Sequence, residues 1–600
     1  MPLATRLRAI ESDTAPDGLR ERTFNPNTIS DEFDLAEALL RADSIAAALR
    51  VLEREELAVL RAIATGPQTT GTLLDLIGPG GERAIDCCER RFLLVRSEDE
   101  IRGIAEVTAE LERIEIPPLE DLLRPASPSA IASDNIDTSI LDRRSVEAAI
   151  RLVSAAAAIV TALATEPARE LAKGGLALPD MKRLASQGRL DLDEVPELMR
   201  IVGLAGLVCS DGHAWLASVE SRDWLDAHVP ARWTRIARAW WHSQPEEIRE
   251  AVRATLTEGA REDSALSRIR ERLAWRYPAS TSIRPAVIQF AVGAEIVGVL
   301  AGSELTGLGR ALAAAATAES LERVVDSVFP PEAQRVYVQP DYSIVVPGPP
   351  APHIDRMLRR FADCEHADMA STYRLSPASL NRALASGSSI EEIQEFLESH
   401  SSTGIPQPVE FVLGQAAEQF GRVRVRVHDV PPIQAAVRAL DPHLLEVLRV
   451  DQGTHALGFV AGEGELLTRA SVGHTLAMLE AAKYPVALED ASGAIIPLEP
   501  TYRSSREATP GADPIAHMWT RITHARSDHP DPQAWLSRQI TLAVKAKSKL
   551  VVEVRLPAGG TTEFILEPTG LAGGRMRARD RKADIERTFP LASIVAVSPA

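Results

Sequence analysis

The sequence predicts a multidomain α+β chain: a helical, winged-helix-like N-terminal half, an α+β module in mid-chain, a small α/β region and a C-terminal β-barrel. Three observations predict it. Residues 1–330 carry helical apolar periodicity interrupted by short hairpins, residues 333–430 mix helix and strand signals, and the last 65 or so residues alternate at period two. Six hundred residues suffice for several domains.

Residues 1–125 form the first unit. "DLAEALLRADSIAAALRVL" and "REELAVLRAIATG" have helical spacing, and Gly66 ends the second run. "TTGTLLDLIG" and "GERAIDCCERRFLLVRSEDEIRGI" then give helix, turn, helix and a short hairpin, the order a winged helix needs. The Pro- and Ser-rich stretch 117–135 reads as a linker. Residues 140–220 repeat the theme, with Asp211-Gly212 at the tip of a β-wing. Residues 225–330 are a further helical block in which Trp233, Trp240 and Trp241 are expected in the core.

The module at 333–430 has the sharpest punctuation. "RVYVQPDYSIVVPG" reads as a hairpin turning at Pro340-Asp341. Ser376-Pro377 is an N-cap followed by proline at the first helical position, and Gly387 supplies the stop. Ser389 with Glu392 is a capping box for a second helix, and Pro406 and Pro408 open a third that ends at Gly421. The chain then enters "RVRVRV", where Val423, Val425 and Val427 alternate with Arg424 and Arg426. Period two predicts a strand with one buried and one basic face.

Residues 431–500 read as a small α/β domain. "PPIQAAVRALD" and "SVGHTLAMLEAAKY" are expected helices, and "LLEVLRVD", "ALGFVAG", "PVALED" and "AIIPLEP" expected strands. Residues 501–532 lack periodicity and fit a linker. Residues 533–600 are strand and turn, with Gly559-Gly560 and Gly573-Gly574 as hairpin tips.

The chemistry is defined by what is missing. No GxxxxGK[ST] loop is present to cradle phosphates, and neither HExxH nor Gly-x-Ser-x-Gly occurs, so no catalytic residue, cofactor or metal is expected. Four cysteines without a CxxC pair give no zinc ribbon, and adjacent Cys87-Cys88 reads as packing. Net charge is −18, which argues against a surface coated for phosphate but leaves room for a local basic patch. With no signal-peptide pattern and no apolar run of spanning length, a cytoplasmic protein without membrane contact is expected, nucleoid association included. The run "AAAAIVTALA" at 155–164 is too short and is assigned to an amphipathic helix.

Residues 333–427 resemble the N-terminal, damage-recognition-like domain of XPB-type DNA repair helicases. The resemblance rests on "VYVQPDYSIVVPG", "TYRLSPASLNRALASGSSIEEIQEFLESHSSTGIPQPV" and "GRVRV" in that order. The whole chain further resembles actinobacterial helicase-associated proteins sharing this domain. The resemblance implies DNA as partner, an XPB-type helicase as a second partner and a role in DNA repair. The motor domains of that family are absent here, so ATP hydrolysis does not carry over.

Residues 533–600 resemble a WYL-type barrel through "LEPTGL" and "ERTFPLASIVAV", with "GRMRAR" where the aromatic signature falls. Residues 536–600 hold eleven Lys and Arg against six Asp and Glu. Arg575, Arg577 and Arg579 would share one strand face, and with Arg581, Lys582 and Arg587 they are candidate phosphate contacts, as are Arg424 and Arg426. The expected function is a non-catalytic DNA-binding or helicase-associated protein; the alternatives are a WYL-type transcription regulator and a protein–protein adaptor.

Overall fold

The computed structural model describes residues 2–10, 15–97, 100–125, 138–257, 264–367, 369–428, 430–504, 513–528, 532–556, 560–580, 583 and 585–599. The chain forms two compact units, Met1–Pro128 with Leu273–Ile283 and Ala508–Ala600, and Ser129–Arg272 with Arg284–Glu507.

The first unit joins the two ends of the chain. Asp31 caps the helix Glu32–Leu40 through the backbone N–H groups of Phe33 and Asp34. Its apolar face, with Leu3, Leu7 and Leu19, meets Met518, Trp519 and Ile522 in one buried cluster. Those three belong to the helix Pro514–Asp528, so the expected linker 501–532 is a core helix in its second half. The reason is local: Met518, Trp519 and Ile522 cluster one helix face within an otherwise polar stretch. The next helix, Pro532–Ala546, is also tied to the N-terminal helices. The Trp535 ring lies 4.3 Å from Phe33, and Arg538 reaches Asp31 and Asp34 at 3.2 and 2.7 Å.

In the same unit the helices Arg54–Ala64, Thr70–Ile77 and Gly81–Arg90 precede the hairpin Leu94–Arg96/Ile101–Gly103, with Gln68 bridging to Ile101. Glu53 and Glu56 close a reciprocal capping box on the first helix, and Cys87 and Cys88 are buried. Part of the expected linker 117–135 packs here, with Leu122 buried in this core. Residues 126–135 lie outside the described residues.

The C-terminal strands run in the order Ile585–Pro590, Arg575–Asp580, Thr561–Ala572, Leu550–Arg555, Ile594–Pro599. The expected barrel is therefore an open five-stranded sheet. Its first and last strands pair with no further strand among the described residues, and Leu536, Ile540 and Ala543 of the helix Pro532–Ala546 fill the apolar face with Leu550, Val552, Leu566 and Met576. A helix covers that face, so the sheet buries its apolar residues without closing.

The second unit is built around the helix Thr138–Thr165. The apolar run 155–164 falls in it, and the helix is long and apolar enough to span a membrane, with 72% of its most apolar window buried inside the protein. It precedes the strand Ala168–Arg169, the helices Leu178–Gly188 and Val195–Leu204, and the strands Val208–Ser210 and Ala214–Ser218. Gly212, at φ 88°, occupies the predicted wing tip. The strand Tyr502–Arg503 joins this sheet in parallel with Ala214–Ser218, which removes the start of 501–532 from the expected linker. Trp233, Trp240 and Trp241 are core residues. Trp233 donates from Nε1 to the Val297 carbonyl at 2.9 Å, and Trp240 stacks on Phe290 at 5.6 Å.

The mid-chain module has an antiparallel four-stranded sheet, in the order Ala362–Ala367, Ser371–Leu375, Ser343–Val346, Tyr337–Val338. Two elements, the helix Pro352–Phe361 and the hairpin 362–375, add to the three helices that the caps mark. Ser376 and Ser379 close a reciprocal capping box on Pro377–Ala385, and Ser389 accepts from the Glu392 N–H, the N-cap half of the expected capping box. The strand Val423–Val427 leaves this module for a six-stranded sheet. There, two expectations reverse. Residues 435–439 are a strand because Val437 packs between Val425 and Leu466, and ladder pairing outweighs the helix propensity of alanine. Residues 442–450 are a helix, capped by Asp441 with Pro442 at its first position.

Candidate nucleic-acid interface

The six-stranded sheet runs Val460–Ala461, Leu466–Thr468, Ala435–Ala439, Val423–Val427, Val486–Glu489, Ile495–Ile496. Val423 and Val425 face its buried core. Val427, at the strand end, is 62% exposed instead. Arg424 and Arg426 point to the opposite face from a central strand, and Arg424 stands directly across from Arg438. Like charges in that position repel unless offset. The offset is Glu489, whose side chain is 2% exposed and lies 3.7 Å from Arg424 and 3.6 Å from Arg438. Its Oε1 has no hydrogen-bond partner among the described residues. Arg424 donates to the carbonyls of Gly421 and Gly493, each at 2.9 Å. Arg426 donates to Glu465 at 2.7 Å. Ala436 and Ala487, across from Arg426 and Arg424, are fully buried and leave room for the arginine stems to lie along the sheet.

Arg438 and Glu489 escaped the sequence reading for a definite reason. "AAVRA" has the composition of a helix, and only strand register puts Arg438 beside Arg424.

In the C-terminal sheet, Arg575, Arg577 and Arg579 share the exposed face of one strand while Met576, Ala578 and Asp580 are buried. Their neighbours differ. Arg575 faces Ala572 and Pro590, Arg577 faces Gly570 and Thr588, and Arg579 is flanked by Glu567 and Glu586. Glu553 and Glu563 stand opposite each other farther along the same face. The basic character of the face is thus concentrated at Arg575 and Arg577. Arg587 is on the other side of the sheet, donating to Asp580 at 2.9 Å with its guanidinium 5.0 Å from the Phe564 ring centroid. Arg581 and Lys582 lie outside the described residues.

Charges on and beside the helices Gly81–Arg90 and Val195–Leu204 are partly paired. Around Gly81–Arg90, Arg96 pairs with Asp86 at 2.9 Å and Arg102 with Glu100 at 2.8 Å. On Val195–Leu204, Arg200 pairs with Glu197 at 2.6 Å, and Glu197 also accepts from Gln289 at 3.0 Å. Among the described residues, no three His, Cys, Asp or Glu side chains gather as a metal site.

No curated protein matches the chain. Residues 336–461, which hold the mid-chain module and both Arg424 and Arg438, match the family model described as the helicase conserved C-terminal domain. That match links the segment to the helicase family.

Proposed function

We propose that the protein is a helicase-associated nucleic-acid-binding protein without a motor of its own, acting in DNA repair. On this reading, residues 333–427 correspond to the damage-recognition-like module of XPB-type helicases and the C-terminal sheet to a WYL-type domain. The observation that carries it is the helicase-family match at 336–461 on a segment that contains no phosphate-binding loop. The Glu197–Arg200 pair on the helix Val195–Leu204 speaks against groove reading by that helix and favours contact through the arginine-bearing sheet faces. Recovery of the native protein with and without nuclease tests the reading. Nuclease-sensitive co-recovery of DNA is expected, with no ATP turnover by the purified protein; turnover that survives repurification refutes the motor-free assignment.

A second reading, a protein–protein adaptor, has its own support. Phe411, Val427, Val430, Leu440, Val450 and Val460 are the most exposed large apolar side chains described, and all lie inside the helicase-matched segment. Co-recovery that is indifferent to nuclease favours it.

A further inference from the structure

We propose that the arginine-bearing face of the six-stranded sheet is a binding site for one phosphate group, held by Arg438 together with Arg424. The inference deepens the nucleic-acid reading above and rests on it for the source of the phosphate. Three observations converge.

The first is donor surplus. The Arg438 side chain is 53% exposed and makes no hydrogen bond among the described residues, where its ion-pair partner is Glu489 at 3.6 Å. A guanidinium offers five N–H donors in a fixed fork. Arg424, directly opposite, uses Nε and one Nη on backbone carbonyls, which anchors its fork beside that of Arg438. One anchored fork beside one with its donors free suits an acceptor with several oxygens in one plane or tetrahedron, the geometry of phosphate.

The second is charge. Arg424, Arg426 and Arg438 face only Glu465 and Glu489 in their ion pairs, so the group has one uncompensated positive charge. One phosphodiester balances it.

The third is the state of Glu489. It is nearly fully buried, yet both of its arginine distances exceed a hydrogen bond and one oxygen has no partner. It acts as a fixed counter-charge beneath the arginines. It keeps two opposed cations together without consuming their outward donors.

The experiment is binding of a duplex oligonucleotide to the full chain across a salt series, comparing wild type, Arg438→Gln and Arg449→Gln. Arg449, on the adjacent helix and paired with Glu446 at 2.8 Å, controls for loss of a charge as such. Each phosphate contact contributes about 0.9 to the slope of log K against log salt. Arg438→Gln is expected to flatten the slope by about that amount, and Arg449→Gln to leave it unchanged. A wild type that binds with the same slope as Arg438→Gln overturns the site and leaves the nucleic-acid reading standing. A wild type that binds no nucleic acid overturns that reading, and a second measurement then decides the site. The thermal shift caused by inorganic phosphate, relative to chloride at equal ionic strength, is larger for wild type than for Arg438→Gln if free phosphate is the ligand. Equal shifts refute the site.

Discussion

Replacing Asp355 by alanine should be among the costliest single polar substitutions in the second unit. Asp355 is fully buried between the helix Pro352–Phe361 and the helix Val229–His242. Its carboxylate accepts from Arg232 Nη1 at 2.8 Å, Arg359 Nε at 2.7 Å and the Tyr373 hydroxyl at 2.9 Å. Arg359 also reaches Ser154 of the long helix at 2.9 Å. Burial by itself would raise the Asp355 carboxyl, but Arg359 and Arg232 together hold it below the ordinary aspartate range. Burial and the adjacent carboxylate push the Tyr373 hydroxyl up, so it remains a donor. Removing the carboxylate strands two guanidiniums in the interior, and breaking a buried pair costs about 3–5 kcal/mol. At roughly 2–4 °C per kcal/mol for domains of 150–250 residues, and less for a larger unit, the transition should fall by roughly 5–10 °C in calorimetry. Asp355→Asn, which keeps the shape, should be nearly as severe. The triple replacement of Asp355, Arg232 and Arg359 by leucine should recover much of the loss, since apolar substitutes for buried ion pairs are often neutral. The pH dependence has a fixed sign. A depressed folded value means the hub's contribution is complete above the ordinary value of 3.8 and is lost as pH falls through the lower, folded one. A loss below about 1 kcal/mol for both Asp355→Ala and Asp355→Asn, outside the 3–5 expected for a buried pair, would refute the hub.

Three further outcomes are expected. Gly293→Ala should destabilise by about 1–3 kcal/mol in thermal melts, the usual cost of overpacking, because a Cβ there would lie 2.5 Å from Trp240 Nε1. Truncation after Glu507 removes Met518, Trp519 and Ile522 from the N-terminal core, and hydrogen exchange over residues 2–50 should accelerate sharply; unchanged protection would show that those helices fold without the C-terminal pair. Arg575→Ala/Arg577→Ala should flatten the salt slope of DNA binding by about 2, whereas Arg579→Ala, flanked by Glu567 and Glu586, should leave it nearly unchanged.

Legibility followed the range of the interaction that decides each element. Where a local signal suffices, the sequence was enough. Ser376, Ser389, Gly387 and Gly421 mark helix ends that the structure keeps, and the alternation of Arg575, Arg577 and Arg579 puts them on one face. Where the deciding partner is distant, the reading failed. Residues 435–439 look helical until Val425 and Leu466 flank Val437. Residues 514–528 look like a linker until Trp519 meets Leu7 and Phe33, from the other end of the chain. The barrel expectation failed because strand alternation records which residues face a core, not whether a helix or a closing strand supplies it. The candidate site divides in the same way: Arg424 and Arg426 were legible from period two, while Arg438, Glu489 and Glu465 exist as partners only through register.

The strand Val423–Val427 connects these findings. It follows the helix Gln407–Gln419 of the helicase-matched module, and it is a central strand of the sheet that carries the arginines. Two cross-links fix the module against that sheet: Asn381 Nδ2 donates to the Val486 carbonyl at 3.3 Å, and the Leu498 N–H donates to the Ala385 carbonyl at 2.8 Å. On its other side the module is held to the long helix and the tryptophan helix by the Asp355 hub. The arginine face therefore sits in a frame fixed on both sides, with the Arg424 and Arg426 side chains anchored before any ligand arrives. Preorganisation of this kind lowers the ordering cost of binding, and it makes placement of the charges the quantity that matters. In a chain of net charge −18, a few correctly placed arginines then localise phosphate contact without a basic surface.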